Sequence, residues 1–201
     1  MNRAGALLAM LLSGCAGLQA PQVDALNVHL LEARPAAAGA GAGTQPARDR
    51  VLAVSAPRAR AGFDTEQMAY VRRPHALEYF ANNRWADAPS RMLAPLLAQT
   101  LEQRFRVVVR APSAVHADLR LETELVRLQH DFSTRPSRVE LVLRAQLVDL
   151  RGRQVLAAAE FEEIEPAPSE DAYGGVIAAN RALQRMLARV ADFCAGRSDI
   201  P

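Results

Sequence analysis

No lysine occurs among the 24 basic residues of this 201-residue chain. That absence removes Schiff-base chemistry and the phosphate-gripping lysine of a Walker loop, so the chain is not an ATPase by itself. The arginine-only usage reads as the coding bias of a GC-rich genome. An excess of one charge is also missing. The 24 basic residues face 22 acidic ones, for a formal net charge of +2, so no uniform field is available for binding nucleic acid. Aromatic residues make up only 5% of a chain that is half apolar, enough for one ordinary core and not for several. With two cysteines, Cys15 and Cys194, there is no disulfide framework.

Catalytic patterns are equally sparse. His29, His75, His116 and His130 share no metal-ligand spacing and have no cysteine near them, so neither metal nor cofactor is expected. There is no G-x-S-x-G elbow, and the serines fall in turns or beside prolines. Glu160, Glu162, Glu163 and Glu165 could supply a glycosidase-like carboxylate pair, but acidic residues along a strand read better as a solvated edge. Gly174-Gly175 lies beside a helix start without a phosphate-binding fingerprint around it. The expectation is a protein that is not an enzyme.

The N-terminus carries the first positive signal. Arg3 precedes the apolar run Ala4 to Leu12, and Leu12-Ser13-Gly14-Cys15 follows directly. The run is too short to cross a bilayer, which takes roughly 20 residues, so cleavage after residue 14 is expected. The four residues resemble the lipobox of bacterial lipoproteins, which makes Cys15 the acylated first residue of the mature chain. Two or three acyl (palmitate) chains, at about 0.8 kcal/mol per buried methylene, form a stable anchor. Cys194 is then left to act as a small buried hydrophobe.

The expected organisation is a signal peptide over 1–14, a lipidated N-terminus and tether over 15–25, and one domain over 26–201. Leu26 to Glu32 reads as a strand, Arg34 to Arg50 as an alanine- and glycine-rich loop, and Val51 to Ser55 as a second strand. Val139, Leu141, Leu143, Ala145 and Leu147 alternate with mostly polar residues, and Val155 to Phe161 repeats the pattern. Between them, Asp149-Leu150-Arg151-Gly152 predicts a hairpin turn with Gly152 at positive φ. A phase slip after Leu125 predicts a β-bulge in the strand that begins at Leu119. Ser90 to Gln103 predicts a helix with Pro95 either in its first turn or at a kink. Asp171 to Gly196 predicts a longer helix, capped by Ser169 or Asp171 and stopped by Gly196. The fold class is α+β, a mainly antiparallel sheet with both helices on one face.

Aromatics and arginines concentrate between Phe63 and Trp85. Met68 to Arg73 and Ala76 to Phe80 read as a short hairpin around Pro74-His75. Arg72, Arg73 and Arg84 are candidates for charge-assisted contacts with a partner, and Tyr70 or Tyr79 for aromatic anchors. Trp85 reads either as part of that surface or as core filler.

These residues carry a resemblance. Gly62-Phe63-Asp64-Thr65, Met68-Ala69-Tyr70-Val71-Arg72-Arg73, Leu77-Glu78-Tyr79-Phe80 and Asn83-Arg84-Trp85-Ala86-Asp87 resemble a segment of the ABC-type transport auxiliary lipoproteins, the PqiC-like family. The likeness extends over about Ala25 to Ala195. His29 stands where relatives carry tyrosine, and Ala88 delays their proline to Pro89. The resemblance implies a lipoprotein facing the periplasm of a Gram-negative envelope. It also implies partners, namely an MCE-domain protein with an ABC permease and ATPase that move phospholipid or other hydrophobic cargo between membranes. By resemblance to enteric sorting, Ala16, not being aspartate, sends the protein to the outer membrane. Self-association as a homo-oligomer is compatible with this role. Two competing roles are a lipoprotein activator of a cell-wall synthase and a lipid-binding shuttle, the latter requiring an enclosed apolar cavity.

Overall fold

The structure, a computed structural model, describes residues 25–32 and 49–197. The signal peptide, Cys15 and the tether up to residue 24 lie outside the described residues, as does the loop over 33–48. In chain order the elements are β1 (Asn27–His29), β2 (Leu52–Val54), β3 (Arg58–Ala59), β4 (Gln67–Val71), β5 (Leu77–Trp85), α1 (Pro89–Leu101), β6 (Val108–Arg110), β7 (Leu119–Asp131), β8 (Arg138–Asp149), β9 (Gln154–Pro166) and α2 (Ala172–Arg197).

The expected α+β architecture is present. Strands β7, β8 and β9 form an antiparallel meander that supplies most of the sheet's paired residues. Alternation puts Val139, Leu141, Leu143, Ala145 and Leu147 of β8 on one face, all buried. The register of β7 shifts between Leu125 and Arg127, where the phase slip predicted a bulge. The extra residue returns Leu128 to the face already occupied by Leu119, Leu121 and Leu125. Against this face α2 packs Val176, Ala179, Leu183, Met186, Leu187, Val190 and Cys194. Helix α1 adds Leu93, Leu97 and Leu101 and touches α2, β2 and β6. Cys194 is fully buried, and burial pushes its thiol up to about 12.

The other edge of β7 was not foreseen. Three short strands lie along it one after another, all parallel to it: Leu52 pairs with Leu119, Arg58 with Glu124 and Tyr70 with His130. From β2 the sheet continues to β6, and from β4 through β5 to β1. Strand β2 is buried at all three positions, as a parallel strand inside a sheet must be.

Three local expectations need correction, and the open alternative at Pro95 is decided. Positive φ falls on Arg153 (53°) and not on Gly152. The turn is held instead by Asp149, whose Oδ1 accepts from the backbone N–H of Arg151 at 2.9 Å and of Gly152 at 3.3 Å. Gly196 lies inside α2 and does not stop it. Helix α1 starts at Pro89, where a missing N–H is harmless, so Pro95 sits in the helix interior on the exposed side. Finally, Trp85 is only 4% exposed and belongs to the core, which removes it from any docking surface.

The acidic run also divides by strand parity. Glu163 and Glu165 face α2, with Glu163 held by Arg185 at 2.8 Å and Arg189 at 2.7 Å, and Glu165 by Arg185 at 2.8 Å. Glu160 points the other way, to Arg144 at 2.9 Å. Two of the four glutamates therefore clamp the helix to β9.

Candidate functional site

The β4–β5 hairpin forms, with a turn at Pro74-His75 and His75 in left-handed backbone (φ 64°). Strand pairing decides which candidates share a face. Tyr70 stands opposite Glu78, and directly opposed residues project the same way. Tyr79 is the next residue along and so projects to the other face.

On the first face Tyr70 is half-buried, and its hydroxyl donates to Glu78 Oε2 at 2.9 Å. That hydrogen bond to a carboxylate holds the phenol above its ordinary value. The Arg72 guanidinium lies 5.1 Å from the centre of the Tyr70 ring. Beneath them the rings of Phe80 (4.6 Å) and Phe132 (6.0 Å) continue the cluster inward to His130, whose ring is 4.0 Å from that of Phe132. Arg72 is thus presented by an aromatic stack and is exposed.

His130 is the buried end of this stack. Its Nε2 shares a 2.8 Å hydrogen bond with Ser137 Oγ, and its Nδ1 has no partner among the described residues. Desolvation holds its pKa below the ordinary value, with partial opposition from Glu170, Asp171 and Asp131. The Ser137–His130 pair lacks the geometry of a nucleophile. Ser137 is fully buried, and the nearby carboxylate of Glu170 accepts from the Ser137 N–H at 2.8 Å instead of orienting the imidazole through Nδ1.

Gly174 and Gly175 also gain a reason here. A Cβ on Gly174 would lie 2.2 Å from the Ser169 carbonyl oxygen, and one on Gly175 would lie 2.6 Å from His130 Nδ1. Asp171 caps the helix by accepting from the Gly174 N–H at 2.7 Å, and Ser169 Oγ donates to the same carboxylate oxygen at 2.9 Å. The pair serves close packing at the start of α2. No phosphate is needed to explain it.

On the second face Tyr79 donates to the Gly62 carbonyl at 3.0 Å and so fastens the loop before β4. Arg73 lines a groove of about 500 Å³ together with Arg60, Phe63, Leu77 and Arg127. Arg84 lies 3.8 Å from Glu66, both side chains being about half exposed, so it is partnered within the chain. By contrast, neither Arg72 nor Arg73 forms an ion pair with a described residue. The structure thus brings Tyr70 and Arg72 together and places Arg73 beside them at the hairpin tip. Tyr79 and Arg84 have internal partners, and Trp85 is in the core. Phe80 and Phe132 complete the stack, and Phe132 was not visible as a partner because it lies just past the far end of β7, some 60 residues from Tyr70 in sequence.

The family model for the ABC-type transport auxiliary lipoprotein component matches residues 29–191. Among solved structures, the chain is similar to protein XCC0632 from Xanthomonas campestris, of the DUF330 family. The TM-score is 0.75 at 20% identity, over 86% of this chain and 98% of that one. It is also similar to an uncharacterized protein with a TM-score of 0.65 at 14% identity, over 84% of this chain and 98% of that one. Among curated proteins no match was found.

Proposed function

The chain belongs to the ABC-type transport auxiliary lipoprotein component family, and from that premise we propose that it is the subunit of an MCE-type transport system that docks the MCE-domain partner. Its family makes it a transport-associated, membrane-anchored lipoprotein of the envelope. The observation that carries the reading is the family match over residues 29–191 downstream of Leu12-Ser13-Gly14-Cys15, a combination that pairs an auxiliary domain with a lipid anchor. In this reading acyl chains on Cys15 hold the protein in the outer membrane on its periplasmic face. The cargo, phospholipid or another hydrophobic molecule, moves through the partners.

Docking is assigned to the hairpin tip. Arg72 and Arg73 are exposed without carboxylate partners among the described residues, and Arg72 is pre-oriented by the Tyr70 ring. A guanidinium held in this way suits a bidentate contact with a partner's carboxylate. The shuttle alternative requires an enclosed apolar cavity; the one between β7 and α2, lined by Met68, Trp85, Leu128 and His130, measures only about 10 Å³, and the grooves of about 500 and 670 Å³ are open to solvent. The cavity has room for one water and not for an acyl chain.

The test has two arms. Cys15→Ala should lose label from a metabolically incorporated fatty acid, and label retained in the variant would contradict the anchor. Arg72→Ala with Arg73→Ala should keep the melting temperature and lose recovery of the MCE partner. Unchanged recovery would return these arginines to ordinary surface.

A further inference from the structure

Strand β1 turns Asn27 and His29 to one face and Val28 to the other. Leu31, just beyond it, is buried, and His29 is hydrogen-bonded to Asn83 at 2.9 Å. The intervening Leu26, Val28 and Leu30 point the other way and are each about half exposed. Three apolar side chains at alternate positions belong to a face that is covered, yet here, on the last strand of the sheet, they are open to solvent. Beside it lies a groove of about 670 Å³ whose far wall is the first turns of α2, with Tyr173 62% exposed. Asn180 fixes the two walls together: its Oδ1 accepts from the Glu32 N–H at 2.6 Å and its Nδ2 donates to the Leu30 carbonyl at 3.2 Å. Of nine exposed large apolar side chains among the described residues, Val28, Leu30 and Tyr173 line this groove, and Leu26 precedes Val28 by two positions on the same chain segment. The other five are scattered over the hairpins and loops. Concentration of this kind marks a contact surface.

We infer that this patch rests on the lipid bilayer in which Cys15 is anchored, an inference that depends on the anchor reading above. Only residues 16–25 separate Cys15 from Leu26, and at no more than about 3.6 Å per residue the patch stays within roughly 40 Å of the acyl chains. It is the first described strand after the anchor, and leucine, valine and tyrosine side chains on one surface suit the headgroup boundary. No described helix is long and apolar enough to cross a membrane, so contact of this type is made from the side. The consequence is orientation. Val28 pairs with Arg84 near one end of β5, while Arg72 and Arg73 lie beyond the other end at Leu77. On the paired strand this span is Gln67 to Val71, four residue steps or about 13 Å, which sets the docking arginines away from the bilayer.

The experiment uses the full lipidated chain in phosphatidylethanolamine–phosphatidylglycerol vesicles, with an environment-sensitive fluorophore on Val28→Cys, on Tyr173→Cys and, as the control, on Val155→Cys. Val155 is exposed at the β8–β9 turn, and the buried Cys194 does not compete for label. Lipids brominated along the acyl chain should quench the labels at 28 and 173 at least twofold more than the label at 155. Equal quenching at all three sites, with flotation retained, would overturn the patch assignment and leave the anchor standing. Loss of flotation would overturn both. Energy transfer between labels at 28 on different molecules, without lipid quenching, would assign the patch to a second copy of the chain and overturn the inference.

Discussion

Replacing Gly175 by alanine tests the packing between the start of α2 and the aromatic stack. A methyl group on an unobstructed helical glycine stabilises by about 1 kcal/mol. At Gly175 the new Cβ would lie 2.6 Å from His130 Nδ1 and 3.2 Å from Cγ and Cε1. The ring has little freedom to retreat, because Nε2 is tied to Ser137 at 2.8 Å and the Phe132 ring lies 4.0 Å away. Overpacking of a filled core costs about 1–3 kcal/mol, so Gly175→Ala should lose up to about 2 kcal/mol net. For a domain of this size that lowers Tm by up to about 8 °C. The decisive assay is a double-mutant cycle read by thermal melting followed by circular dichroism. With His130→Ala the obstructing ring is gone, and Gly175→Ala should then stabilise by about 1 kcal/mol. The same shift in both backgrounds would refute the contact.

Removing the buried anchor should cost far more than removing surface charge: Trp85→Ala should lose about 3–5 kcal/mol in a denaturant titration, against under about 1 kcal/mol for Arg72→Ala. Glu163 is pushed up by burial but held below the usual carboxylate range by Arg189 and Arg185, so Glu163→Gln should lower stability by about 1–2 kcal/mol, measured at pH 7. Arg153→Gly should raise Tm by a few degrees, since relief of left-handed backbone is worth about 1 kcal/mol, and a fall would contradict the turn geometry. His130 titrates below its ordinary 6.5 because it is desolvated, so the unfolded chain binds the proton more readily. Stability due to this group is full above pH 6.5 and declines as pH falls from there towards the depressed folded value. Melts at pH 7.5 and 5.5 should therefore converge in His130→Gln relative to the native chain.

The readable parts of the fold were those whose signal is local. The β8–β9 hairpin declares itself through strict alternation and an acceptor at Asp149, and α2 through apolar residues at three- and four-residue steps with Asp171 before them. The bulge in β7 was legible because one slip in phase must be absorbed somewhere. By contrast, although β2 and β4 read as strands, their parallel pairing with an edge of β7 some 60 residues away has no local signal, and the two-residue β3 has no period to read. Gly152 misled because glycine permits positive φ without requiring it, and the Asp149 side chain already secured that turn. At the candidate site the arginines were visible as a cluster, but their separation into partnered Arg84 and free-standing Arg72 and Arg73 depends on Glu66 and on strand parity. The burial of Trp85 follows from β5 running on past Phe80, which no turn signal interrupted.

The proposed docking of an MCE-domain partner is tested most directly by co-purification. The tagged, lipidated full chain would be recovered from detergent-solubilised envelope membranes and its companions identified by mass spectrometry. The account predicts enrichment of an MCE-domain protein together with an ABC permease and ATPase, with that enrichment lost in the Arg72→Ala, Arg73→Ala variant. Recovery of a cell-wall synthase in their place would contradict it.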